Sequence, residues 1–156
     1  MVDSSSEDFD ARLLEAVELT GATLAFDAIG GGTMASDILR AMELAQVKKA
    51  TDFSRYGSPV HKQVYVYGLL NPGDRIIRAD IGTAWGVGGW LMSWHLAKIG
   101  TDATDVLRNR VVSELRTTFK TDYIAEIDLT EMLQPGTIER FAASATAGKF
   151  LLRPNR

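Results

Sequence analysis

The sequence contains no cysteine, which excludes disulfides, cysteine-ligated zinc and thiol catalysis. Histidine is nearly as scarce: His61 and His95 leave little room for a His-rich metal site, and no metal is expected. No run of about 18 or more uncharged apolar residues occurs, so no membrane span or membrane partner is expected. Nor is there an excess of positive charge. The 17 Lys and Arg face 20 Asp and Glu, a net charge of −3, which argues against a large basic surface for nucleic acid. The opening MVDSSSEDFD has neither the apolar stretch of a signal peptide nor the basic residues of a transit peptide, so a cytoplasmic location is the default expectation.

What remains is the composition of a packed globular chain. At 156 residues and 46% hydrophobic content, one domain with a real core is expected. Ser4, Ser5 and Ser6 before Glu7 and Asp8 suit a helix start, with side-chain oxygens capping free N–H groups. Leu13, Leu14 and Val17 extend that helix over about 9–19, to a stop at Gly21. The run 22–26, ATLAF, has no charged interruption and reads as a strand buried on both faces, as in parallel sheets. After Gly30–Gly32, Met34, Ile38, Met42 and Ala45 recur at helical spacing. The β-rich run 63–67, QVYVY, is a second strand. Strand, glycine turn, helix and strand imply a right-handed βαβ unit with parallel strands.

Asn71-Pro72-Gly73-Asp74 predicts a turn. A third strand is expected near 83–88 and a helix over 89–98. Leu107, Val111, Leu115 and Phe119 step by four and predict an amphipathic helix over 102–118. Shorter pieces follow: a strand at 123–127, helical turns at 129–133 and 136–147 split by Pro135, and a strand at 150–152.

The residues that carry chemistry cluster at two strand ends. In open parallel sheets ligands sit beyond the carboxyl ends of the strands. Asp27-Ala28-Ile29-Gly30-Gly31 ends the first strand, where glycines let backbone N–H groups approach a phosphate or ribose; a plain tight turn is the other reading. Tyr67-Gly68-Leu69 ends the second strand and should lie on the same edge. The dinucleotide fingerprint Gly-x-Gly-x-x-Gly is absent from both glycine clusters. Asp27 reads as structural before catalytic, His61 as a solvated loop residue, and His95 as a packing residue. Tyr65 and Tyr67 share one strand face, with core packing the default. No catalytic triad or paired carboxylate emerges from the spacing, and no catalytic residue is assigned.

The segments GATLAFDAIGGG, KQVYVYGLL, AWGVGGWLM and GKFLLRP, in that order, resemble the C-terminal part of the medium-chain dehydrogenase/reductase family, which includes zinc-type alcohol dehydrogenases and quinone oxidoreductase-like enzymes. The resemblance implies an α/β fold: a partial, half Rossmann-like parallel sheet flanked by helices, with extra short C-terminal strands. Residues 1–120 would be the second half of a dinucleotide-binding domain and 121–156 a return segment, the whole forming a single domain. It implies NAD(P) as cofactor, held weakly by Asp27, Ala28, Ile29, Gly30, Gly31, Tyr67, Gly68 and Leu69. Against the family pattern the chain lacks the first three strands, the pyrophosphate loop and the catalytic domain with its zinc ligands. Activity from this chain alone is therefore not expected. The alternative is a non-catalytic oligomeric or partner-binding module. Because the strand at 22–26 would lose its neighbour, an apolar sheet edge is expected. That implies a homo-oligomer, a dimer first, or a partner chain supplying the missing half, with Trp85, Trp90 and Trp94 as interface candidates. If a ligand binds, Gly30→Val is expected to weaken it and leave the fold intact.

Overall fold

The computed structural model describes residues 2–142 and 149–154, which fall into two compact units meeting in sequence at His95 and Leu96. The first unit opens with α1 (Phe9–Thr20), which ends at Gly21. Its serines do not cap it. The N-cap is Asp8 and no side chain bonds the free helix N–H groups, because the Ser6 hydroxyl donates to the Asp8 carboxylate and Ser5 to Asp3. There follow β1 (Leu24–Asp27), β2 (Gly30–Gly32), α2 (Met34–Val47), β3 (Lys62–Val66), β4 (Asn71–Arg75), β5 (Trp85–Gly89) and α3 (Met92–Ile99), which carries the chain across the boundary.

The main sheet has the order β1-β3-β5 with both pairs parallel. Phe26 lies beside Tyr65, and Tyr65 beside Gly88. The βαβ unit thus forms as its hydrophobic pattern predicts. One expectation is corrected: Gly30–Gly32 and Asn71–Asp74 are not simple turns. They pair as the short parallel strands β2 and β4, with the Asn71 N–H donating to the Ile29 carbonyl at 2.8 Å. Turn chemistry survives inside β4, where the Asn71 side-chain oxygen accepts from the Gly73 N–H at 2.9 Å.

The core lies on one side of the sheet. Ala35 and Leu39 of α2 pack on Val64 and Ile81, with Ala25 and Val87 beside them. The opposite flank of α2, Ala41, Met42 and Ala45, meets Val17 of α1. Among the described residues the other face of the sheet is partly exposed, which corrects the doubly buried reading of the first strand. Leu24 and Phe26 are 52% and 51% exposed. Alternation sends Ala25 toward α2 and its neighbours outward, where Phe26 meets the Trp90 ring.

At the amino ends of the strands sits a buried ion pair. Lys62, fully buried at the start of β3, pairs with Glu43 of α2. Glu43 Oε1 also accepts from the Ser58 N–H at 2.8 Å, and Lys62 Nζ donates to the Val60 carbonyl at 3.3 Å.

The second unit contains α4 (Thr101–Ser113), β6 (Tyr123–Ile127), α5 (Leu129–Met132), α6 (Pro135–Ala142) and β7 (Lys149–Leu152). The helix α4 is shorter than its apolar repeat predicts. Beyond Ser113 the chain continues as turns to Phe119, where the Ser113 and Thr117 hydroxyls donate to nearby carbonyls and compete with helix continuation. The Thr118 hydroxyl and then Arg110 hold the Glu114 carboxyl below its ordinary range. A full capping box between Asp128 and Glu131 starts α5, and Pro135 occupies the first position of α6. Strands β6 and β7 pair in parallel, tied at their ends by Arg153, which donates to both oxygens of Glu126 at 2.6 and 2.8 Å. Phe150 packs edge-on to Phe141 and under the Arg140 guanidinium. Of the helix expected over 136–147, the part after Ala142 lies outside the described residues. Among the described residues no helix is long and apolar enough to cross a membrane.

Candidate ligand site at the carboxyl ends of the sheet

Parallel pairing brings the ends of β1 and β3 together, as the sequence predicts. The Tyr67 N–H donates to the Asp27 carbonyl at 2.9 Å, and the Gly68 N–H reaches the same oxygen at 3.4 Å. Asp27 is buried. Its Oδ1 accepts from the N–H groups of Ile29 at 2.8 Å and Gly30 at 3.3 Å, so it braces its own loop. Its Oδ2 is buried with no hydrogen-bond partner among the described residues.

The glycines do something other than open a cradle. A Cβ on Gly68 would lie 1.9 Å from the Ala28 carbonyl oxygen, and one on Gly30 would lie 2.5 Å from that of Gly68. Gly30 also has a φ of +88°, which side chains other than glycine rarely adopt. These glycines let the two loops touch backbone to backbone. The expectation that Gly30→Val would spare the fold is therefore reversed, since the valine would meet backbone rather than ligand space.

Open space lies next door. A cavity of about 350 Å³ sits beyond the ends of β3 and β5, lined by Tyr67, Gly68, Leu69, Arg75, Trp90 and Trp94 among others. Its aromatic wall is ordered: Tyr67 and Trp90 meet edge to face at 6.4 Å, and Phe26 meets Trp90 the same way at 5.6 Å. The Phe26 ring also lies 5.7 Å from Tyr65. This is a partly exposed aromatic platform on the bare face, not the core packing expected of Tyr65 and Tyr67. His95 adds its ring at 5.5 Å from Trp90. His61 is exposed, as expected of a loop residue, with its ring 3.3 Å from the Gln63 side chain.

Of the predicted residues, Tyr67, Gly68 and Leu69 line this cavity. Asp27, Ala28, Ile29, Gly30 and Gly31 form the loop behind them. Trp90 and Trp94, expected at an interface, line it as well. Arg75 had no signal in the sequence, because nothing local marks a turn arginine as facing a site. No group of three or more potential metal ligands gathers among the described residues.

No family model and no curated protein matches this chain. A solved structure from Mesorhizobium loti, described provisionally as an NADPH:quinone reductase, superposes with a TM-score of 0.66 at 20% identity. The match covers 97% of this chain and 39% of that one. The fold is a partial Rossmann-like one. This chain thus spans well under half the length of the protein it resembles, and the likeness at this identity concerns the fold.

Proposed function

We propose that this chain is the nicotinamide-end portion of an NAD(P)-dependent oxidoreductase-like protein, with weak cofactor affinity and no turnover of its own. One observation carries this reading: the aromatic-lined cavity lies at the carboxyl ends of parallel strands, where such sheets bind ligands, on a fold shared with a provisional NADPH:quinone reductase. A volume of about 350 Å³ suits one ring system and not a whole dinucleotide. Tyr67 and Trp90 would supply ring contacts, and Gly68 and Leu69 would supply backbone groups. The bound nicotinamide would bring the hydride chemistry. The Asp27–Gly31 loop supports the cavity wall from behind. Its Ile29 and Gly30 N–H groups are already committed to Asp27, which fits weak phosphate binding.

Calorimetric titration with NADH and NADPH tests the reading, with light scattering in the same buffer. Saturable binding that Trp90→Ala weakens is the expected result. No heat at millimolar cofactor overturns it. A second reading has its own support in the bare aromatic face of the sheet, which is what a partner-binding or self-associating module would present.

A further inference from the structure

Among the described residues Arg75 is the one cation lining the aromatic cavity. Its neighbours in charge are committed: Arg78 pairs with Asp37 at 2.6 Å, and Arg40 with Asp80 at 2.7 Å. Arg75 has no ion pair or side-chain hydrogen bond among the described residues. Its backbone is held by the pairing of β4 with Gly32 of β2, so the guanidinium stands on an ordered strand. A planar guanidinium with five donors and no acceptor is complemented by a carboxylate or phosphate. Beside it Tyr67, Trp90 and Trp94 offer aromatic surface for a flat ring.

We infer that this cavity binds a planar aromatic ligand carrying an anionic group, the ring against the tryptophans and the anion on Arg75. The inference rests on the reading of the carboxyl ends as the ligand-binding side and adds the chemical class the site selects. It requires no cofactor.

The test uses 2-naphthoate and its neutral isostere 2-naphthamide, titrated separately into the whole chain and followed by ligand-observed NMR. Wild type should bind the naphthoate about tenfold more tightly than the amide, the scale of one charge-assisted contact. The preference should shrink as salt rises. Arg75→Gln should abolish it, weakening the naphthoate far more than the amide. Trp94→Ala should weaken both ligands. Both residues are exposed, and circular dichroism checks that the variants stay folded. Equal affinities in wild type, or a preference that survives Arg75→Gln, overturn the inference. A parallel NADPH titration separates the two readings. NADPH binding without a naphthoate preference sinks this inference alone. A naphthoate preference without NADPH binding sustains it and sinks the cofactor assignment.

Discussion

At the scale of single residues, the glycines at the strand ends are fixed by backbone contact. Gly68 fits only because nothing projects from its Cα toward the Ala28 carbonyl. Neither partner can move without breaking the bonds that Tyr67 and Gly68 make to the Asp27 carbonyl. Gly68→Ala is therefore expected to cost about 1–3 kcal/mol or more, read as a lower urea midpoint at unchanged slope. A midpoint equal to wild type would show that the two loops are not in backbone contact in solution. The cluster of glycines was legible in the sequence as something close to a backbone. Its partner was not, because a glycine-rich turn looks the same whether a phosphate or another loop fills the space. Asp27 shows the same limit: an acid at a strand end reads as an anion, and only the structure shows both turn N–H groups on a single oxygen.

At the scale of elements, hydrophobic period was a good guide and coverage was not. Spacing by three and four placed α2, and the apolar runs placed β1 and β3 in one parallel sheet. Period cannot say how many layers cover a sheet, which is why the run at 22–26 suggested burial on both faces while Leu24 and Phe26 stand outward. Nor could period find the tie between α2 and β3. Nothing in the sequence marks Lys62, beside His61 at the start of a strand, as an interior cation, and it lies fully buried against Glu43. Removing one member of such a pair leaves the other charge stranded in the interior. Lys62→Met is expected to destabilise the first unit by about 3–5 kcal/mol, measured by chemical denaturation. Pairing that change with Glu43→Gln should recover part of the loss, since the amide oxygen can still accept from the Ser58 N–H. A single variant as stable as wild type would mean that the pair is hydrated rather than buried.

At the scale of the molecule, the first unit is a parallel sheet with a helical layer on one side and aromatic surface on the other. Parallel sheets are ordinarily covered on both faces, because crossover helices pack on each. Here β1 is an edge strand, and its outward residues Leu24 and Phe26 continue into Tyr65, Tyr67 and Trp90. An exposed apolar edge of this kind recruits another strand or another surface. We therefore expect self-association, with light scattering at micromolar concentration giving twice the 17.1 kDa chain mass. Phe26→Lys places a charge on both the edge and the face. It touches neither Asp27 Oδ1 nor the α2 core, so it should return the single-chain mass without loss of helix content. A wild-type chain that scatters as a monomer removes the oligomer from the account and leaves the bare face to the small-molecule site beside it. A dimer that Phe26→Lys does not dissolve moves the interface away from β1, and the tryptophans around β5 become the next surface to charge.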